Sequence, residues 1–587
     1  MSTSKTAKGP KTGSRCKGVR TAVLRRPVVH APSVHKALHR LMNSLQIHGP
    51  RSRNFEPYSQ DLPVADFASG SASFAVSYLQ AEMLSKFDDG KSSDSKAQEA
   101  WRRFALAEAS CASTNERFRQ LLADKSFKGT DHVSAILYGA LRKIQGLLGP
   151  LCWNEAAMHF GFGPGASTRL PRSKSSKVHK YSGRPETTLG NACLAHAAIM
   201  QKSDLWNRGL DFVEGTGYCD IVAGNRVVTV PKNYKTDRVI AIEPCMNMYV
   251  QKGLGAVIRR RLTRVGIDLN DQSRNQRLAR VGSLAGTLAT IDLSMASDTV
   301  ASELVKYLLP PDWLDALEQC RSFSGILPSG EKVVYQKFSS MGNGYTFELE
   351  SLIFWALCSS VIEHLKLKDT RLAVYGDDII VPSASVALVL STLEFCGFTA
   401  NAKKTHVTGP FRESCGKHYL SGDDVTPFYV KRVPESLSDL FLIHNNVYRW
   451  SGRCKLTSEQ LLACREFLLE VRGLAPRKWR KPRIPDGVGD GAFIGSFDEC
   501  TPTLHFEYLE RGFEGYSVQV LADVGQIVEV DVTGRLVAAI DDIRGGFHSV
   551  LSFDFIKQFG GGHPLPPRKR EVMTLVPLFP PQDHFCG

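Results

Sequence analysis

The stretch Leu372-Ala373-Val374-Tyr375-Gly376-Asp377-Asp378-Ile379-Ile380-Val381 constrains this chain more than any other. Leu372 to Val374 and Ile379 to Val381 are short, apolar and rich in β-branched residues, and read as strands. The residues between them are turn formers, because Gly tolerates positive φ and Asp bonds its own backbone. The prediction is a hairpin whose tip carries two carboxylates between strands too apolar to be exposed. Leaving an ionised carboxylate unpaired in such a place costs several kcal/mol, so a cation is expected there. Adjacent Asp side chains on a tight turn offer hard oxygen donors. These suit Mg²⁺, which keeps part of its water shell and takes further oxygens from phosphates. A bare Gly-Asp-Asp also suits an ordinary Asp-rich turn, so its neighbours must decide.

Those neighbours form an ordered series. Ala289-Thr290-Ile291-Asp292-Leu293 is a short apolar strand carrying one Asp, and a helix follows through Leu304 and Leu308 to Pro310-Pro311. The glycine-punctuated loop Ser339-Ser340-Met341-Gly342-Asn343-Gly344 opens a long helix, predicted amphipathic, with Phe347, Leu349, Leu352, Ile353, Ala356, Leu357, Val361 and Leu365 on its apolar side. Glu348 and Glu350 are expected in its first turn, where the helix dipole favours acidic side chains. After the acidic hairpin come a helix from about Val386 to Phe395 and a strand at Phe398 to Asn401. Strand, helix, helix, strand-turn-strand, helix, strand is the split βαβ plan with one extra helix. It gives an α+β fold with an antiparallel sheet backed by helices. In that plan the first strand lies beside the hairpin and Asp292 approaches Asp377 and Asp378. Three carboxylates at one sheet edge point to two-metal phosphoryl transfer, with ions about 3.5–4 Å apart.

Upstream, the strands Val227 to Val230 and Val239 to Ile242 flank a basic turn holding Lys232, Lys235 and Arg238. Such a ribbon can reach over a triphosphate, with Lys as point charge and Arg as bidentate clamp; a solvated hairpin tip has the same composition. Between Gly161 and Gly190 lies a loop-like stretch, Gly163-Pro164-Gly165-Ala166-Ser167-Thr168, followed by Arg169, Arg172, Lys174, Lys177 and Lys180. It suits a phosphate backbone or simply an exposed loop. The formal net charge of +14 over 587 residues fits a polyanionic partner. The 14 cysteines form no CxxC pair and no zinc-spaced cluster, which favours a reducing compartment. No apolar run reaches the roughly 18 residues of a membrane helix. The basic start has no apolar segment after it, as a secretory signal would.

At the N-terminus, Met1 to about Pro63 reads as a basic arm, and helices follow from Phe74 to Phe87 and from Trp101 to Leu121. Past Tyr429 the chain is helix-rich to about Trp479. From Tyr516 to Ile540 the runs Val518–Leu521, Ile527–Val530 and Leu536–Ile540 read as a small meander, and Pro564 to Arg570 as part of a loose tail.

Taken together, the residues resemble the RNA-dependent RNA polymerases of positive-strand RNA viruses, and more narrowly the replicase catalytic subunits of the small RNA bacteriophages, the levivirus group. The resemblance is carried by the ribbon Val230-Pro231-Lys232-Asn233 to Pro244, Gly266 to Gln272, Asp292 to Asp298, Ser339 to Ser351, Tyr375 to Ile380, and Gly409 to Tyr419. It implies a right hand of fingers, palm and thumb, with the split βαβ sheet as palm. It implies that Asp292, Asp377 and Asp378 hold two Mg²⁺ ions, with Mn²⁺ able to take their place, and that Lys232, Lys235 and Arg238 grip the incoming triphosphate. Asp298 and Asn343 resemble the pair that reads the ribose 2′-hydroxyl, although Asp298 stands one position further from Asp292 than is usual. Lys404 occupies the place of a general acid for pyrophosphate, and Lys403 is an equal candidate.

The resemblance implies mainly fingers (71–285), mainly palm (286–430) and a thumb-like helical region (431–500), and it does not extend to the basic extension (1–70) or the β-rich C-terminal region with tail (501–587), which are read from composition alone. It implies template and product RNA and nucleoside triphosphates as partners, together with host elongation factors Tu and Ts and a small-subunit ribosomal protein, in the cytoplasm of a bacterial host. Two other readings compete. A reverse transcriptase shares the acidic hairpin, but needs a bulky residue after the first Asp to exclude the 2′-hydroxyl; here Leu293, Ser294, Met295, Ala296 and Ser297 follow Asp292. A non-catalytic RNA-binding protein leaves three converging carboxylates unexplained.

Overall fold

The computed structural model describes residues 30–45, 70–87, 94–123, 131–232, 236–500, 503–504, 516–524, 537–538 and 568–576. The chain opens with helices α1 (Ala31–Ser44), α2 (Ser71–Glu82), α3 (Asp94–Ala123) and α4 (Asp131–Leu148). Past several short helices and strands lie strands β1 (Asn225–Pro231) and β2 (Asp237–Ile242), then α5 (Cys245–Thr263), α6 (Ser273–Ala285) and strand β3 (Leu288–Ser294). Two short strands, β4 (Ser324–Ile326) and β5 (Lys332–Val334), precede α7 (Thr346–His364). The acidic hairpin is β6 (Ala373–Tyr375) and β7 (Asp378–Pro382), followed by α8 (Val386–Phe395) and β8 (Thr399–Ala400). The hairpin β9 (Phe411–Ser414) and β10 (Lys417–Leu420) leads to α9 (Leu437–Arg453) and α10 (Ser458–Leu474).

The central sheet is four-stranded in the order β8-β3-β7-β6, each neighbouring pair antiparallel. Its strands carry the apolar residues read from the sequence, and Ala289, Ile291, Ile379 and Val381 join α4, α5 and α7 in one core. Helix α7 crosses that core with almost every residue from Thr346 to Ile362 buried, Glu348 and Glu350 included. This corrects the expected amphipathic helix: α7 is enclosed on nearly all sides, as a helix apolar around its whole circumference must be. Glu350 lies beyond the first turn, so the dipole does not account for it.

A second sheet, in the order β2-β1-β4-β5, carries the basic ribbon. The glycine loop before α7 is stitched to it, the Ala241 N–H donating to Met341 O at 2.9 Å. Gly342 has φ 128°, and a Cβ there would lie 2.0 Å from Ala241 O, so both the conformation and the close approach require glycine.

A second core draws α1 and α2 from the N-terminal region onto α9, α10 and β9–β10, with Phe74, Leu79, Phe441, Trp450 and Phe467 at its centre. Residues 31–44 of the expected basic arm are therefore helical, with Val34, Leu38 and Leu41 buried; the earlier basic residues lie outside the described part. At the other end, Tyr516–Val524 is a strand as predicted. It pairs antiparallel with Arg568–Val576, so residues 568–576 of the expected tail form a strand. Val537 and Ala538 are helical rather than extended, and Ile527 to Val530 lies outside the described residues. The described cysteines are free thiols. Among the described residues no helix is long and apolar enough to cross a membrane.

Candidate active site

The register of the central sheet places Asp292 of β3 directly opposite Asp378 of β7. Residues opposed across an antiparallel pair share a face of the sheet. Asp377 stands one residue away, exposed in the turn after Gly376, whose φ is 60°. Burial, then the charge of Asp377, then that of Asp292, pushes the Asp378 carboxyl up from 3.8 to about 6, against the backbone N–H of Cys415. The Ser414 hydroxyl also lies 3.3 Å from Asp378 Oδ1. The Asp292 carboxyl is likewise raised, first by burial; Lys404 opposes the rise and Asp377 adds to it. Asn401 Nδ2 donates to Asp292 Oδ2 at 3.3 Å.

Among the described residues no three His, Cys, Asp or Glu side chains close on one point as a ready-made cage. The three aspartates instead form an open, all-oxygen edge, where burial and neighbouring carboxylates disfavour charge on Asp292 and Asp378. Mg²⁺ fits such an edge, since it needs few protein ligands and completes its octahedron with water and phosphate oxygens.

Lys404 Nζ lies 3.9 Å from Asp292 Oδ2 and 3.9 Å from Glu413 Oε1. Burial works to lower its pKa, but Glu413, Asp292, Asp378 and Asp377 outweigh it and hold the ammonium above its usual value. Lys403 is exposed, and its backbone N–H donates to Asn401 Oδ1 at 3.2 Å.

The basic ribbon stands within electrostatic reach of this edge. Desolvation first, then Arg238, Arg103 and Lys404, lowers the pKa of Lys232, and Asp292 opposes them. Arg238 is exposed opposite Val230 on the paired strand, while Lys235 lies outside the described residues.

Asp298 and Asn343 are each engaged locally, and among the described residues no hydrogen bond joins them. Asp298 Oδ1 accepts from Lys337 Nζ at 2.8 Å, and Lys337 is only 2 % exposed and also lies 3.6 Å from Glu108 Oε1. Asn343 Oδ1 accepts from the Ser340 N–H at 2.9 Å and holds its own loop closed. In the glycine loop at 163–168, Lys180 is buried and donates to the Gly163 and Gly165 carbonyls at 2.5 and 2.6 Å. It braces that loop rather than facing solvent, whereas Arg172 and Lys174 are exposed.

Sequence reasoning missed the roles of Lys337, Glu413, Glu350 and Ser351. Only Glu350 left a signal, as one of two carboxylates at the start of a largely apolar helix. The other three look ordinary until their distant partners are known.

Comparison with known proteins supplies the lineage. Residues 36–512 match the family described as RNA replicase, beta-chain. The RNA-directed RNA polymerase subunit beta of Enterobacteria phage SP is 44% identical over 428 residues, covering 73% of this chain and 72% of that protein. The subunit of the same name from Escherichia virus Qbeta is 44% identical over 424 residues, 72% of this chain and 70% of that one. The RNA-directed RNA polymerase beta chain of Escherichia phage MS2 is 40% identical over 418 residues, 70% of this chain and 74% of that one. Among solved structures, an RdRp complex aligns at a TM-score of 0.38 and 10% identity, over 58% of this chain and 33% of that chain. With the family matched over most of its length and its phage relatives at 40–44% identity, this chain belongs to the RNA replicase beta-chain family.

Proposed function

We propose that the chain is the catalytic subunit of an RNA-directed RNA polymerase that copies a single-stranded phage RNA. The observation that carries this reading is the in-register pairing of Asp292 with Asp378, with Asp377 at the adjoining turn and the Lys232–Arg238 ribbon within electrostatic reach. In this reading the central sheet is the palm of a right hand. Residues 71–285 are mainly fingers, 286–430 mainly palm and 431–500 thumb-like, with α1 and α2 packed against the last of these.

Asp292, Asp377 and Asp378 hold two Mg²⁺ ions, or Mn²⁺ in their place. When bound, the ions supply the Lewis acidity that activates a 3′-hydroxyl and neutralises a triphosphate. Arg238 offers the forked donors and Lys232 the point charge that orient the phosphates. Lys404, held between Asp292 and Glu413, carries a proton within reach of the departing pyrophosphate. Asp298, fixed by Lys337, and Asn343 in its closed loop are assigned to the ribose. Host elongation factors Tu and Ts, a small-subunit ribosomal protein and the host cytoplasm belong to the same reading by family likeness.

The test is purification from a bacterial host, identification of the co-purifying chains, and nucleotide incorporation on added RNA by the wild type, Asp292→Asn and Asp377→Asn. Both variants should retain RNA and fold but lose incorporation, as should chelator-treated wild type. Near-normal polymerisation by either variant would remove that residue from the metal site.

A further inference from the structure

Ser351 is fully buried in α7, one turn in from the glycine loop. Its hydroxyl donates to Phe347 O at 2.7 Å and accepts the backbone N–H of Gly376 at 3.0 Å. Gly376 opens the acidic turn, and a Cβ there would meet Phe347 Cε2 at 2.5 Å and Glu350 Oε1 at 3.1 Å. The Phe347 ring also stands edge-on to Tyr375, with centroids 5.0 Å apart. Glu350 is only 6% exposed, and among the described residues its Oε2 has no hydrogen-bond partner. Strand pairing fixes Asp378, which is in register with both Tyr375 and Asp292. Asp377 belongs to neither strand. Beyond this strand pairing, the turn rests on the face of α7 made by Phe347, Glu350 and Ser351, and the same helix follows the loop that carries Asn343.

We propose that Ser351 is a positioning residue for nucleotidyl transfer: its hydroxyl anchors the Gly376 amide and so sets the direction of the Asp377 carboxylate. One rigid helix then ties the loop assigned to the sugar to the turn assigned to the metal. The inference rests on the metal reading of Asp377 given above. Without the hydroxyl a buried N–H loses its partner. The turn gains freedom at the atoms where a misplacement of about 1 Å costs on the order of 10²-fold in rate.

The experiment compares Ser351→Ala, Ser351→Thr and Asp377→Asn in the full replicase complex. It reads kcat and KM for nucleotide on added RNA, and the binding of Mn²⁺ alone by electron paramagnetic resonance. Ser351→Ala should lower kcat by about 10- to 100-fold while KM stays within about twofold, the pattern of a geometric rather than a binding defect. Its Mn²⁺ binding should weaken in parallel. Ser351→Thr, which keeps the hydroxyl, should recover most of both. If Ser351→Ala does not fold, Ser351→Cys fills the same space with a weak acceptor and takes its place in the comparison. Wild-type kcat and Mn²⁺ binding in Ser351→Ala, beside an inactive Asp377→Asn, would show that the strands alone set the turn and would overturn the inference while leaving the metal reading intact. Equal losses in the Ala and Thr variants would assign the effect to packing and also overturn it. An active Asp377→Asn would remove the metal reading and this inference together.

Discussion

Asp378→Asn removes a charge while keeping shape and an oxygen acceptor, so it isolates the electrostatic cost of the acidic edge. Burial and the neighbouring aspartates raise the Asp378 carboxyl from 3.8 to about 6. At 1.36 kcal/mol per tenfold change in proton affinity, the rise from 3.8 to about 6 sets a ceiling of about 3 kcal/mol on the cost of ionising Asp378 in the metal-free fold. The residue is half-buried, so solvent screening brings the expected value to about 1–2 kcal/mol. Because the folded-state pKa lies above the unfolded one, the folded protein binds the extra proton between about pH 4 and 6. Stability from this group therefore falls as pH rises through that window. The penalty is full above pH 6 and absent below pH 4. In chelator at pH 7.5 the variant should melt about 1–3 °C above wild type, the small shift expected of so long a chain, and the gap should close as the pH approaches 4. Added Mg²⁺ should raise the wild-type midpoint more than the variant's, since the cation supplies the countercharge that the substitution makes unnecessary. Paired scanning fluorimetry of the two proteins, with and without Mg²⁺, measures all three effects. A variant less stable than wild type at both pH 7.5 and pH 4.5, by the same margin, would refute the reasoning: Asp378 would then be a satisfied structural aspartate, held by Ser414 and Cys415.

Two further perturbations test the residues assigned to the nucleotide. Asn343→Ala should narrow the ratio of kcat/KM for ATP over dATP, since a site built to bond a hydroxyl rejects its absence by up to about 10⁴–10⁵. An unchanged ratio with a lower overall rate would confine Asn343 to closing its loop onto Ser340. Arg238→Lys should raise KM for all four nucleotides alike, because phosphates carry no base identity, and leave the salt dependence of template binding unchanged. Normal KM with a shallower salt slope would place the ribbon on the template path instead.

The parts of this site that were legible in the sequence are those where the chain departs from local expectation. Two carboxylates between β-branched strands, an Asp inside an apolar strand, and a lysine- and arginine-bearing turn between two strands each needed a reason, and the order of elements suggested which would meet. The supports were not legible because they satisfy every local rule. Lys337 sits in Tyr335-Gln336-Lys337-Phe338, ordinary until Asp298 and Glu108 are found around its ammonium. His418 bonds the Tyr78 hydroxyl at 2.7 Å, a contact between residues 340 positions apart that joins α2 to the hairpin holding Glu413. In the case of α7 the usual guide fails outright, because a helix buried on all sides has no periodicity to show which face meets the hairpin. Ser351 therefore looks like any small residue in a helix, and only the Gly376 N–H across from it gives it a task. The turn at Gly376 is predicted from turn chemistry alone, yet the structure gives its glycine a second cause: the Phe347 ring occupies the place of a side chain. A substitution that tolerated positive φ, such as Gly376→Asn, would satisfy the turn and still collide with α7. The demand for glycine here is thus set as much by the helix as by the hairpin.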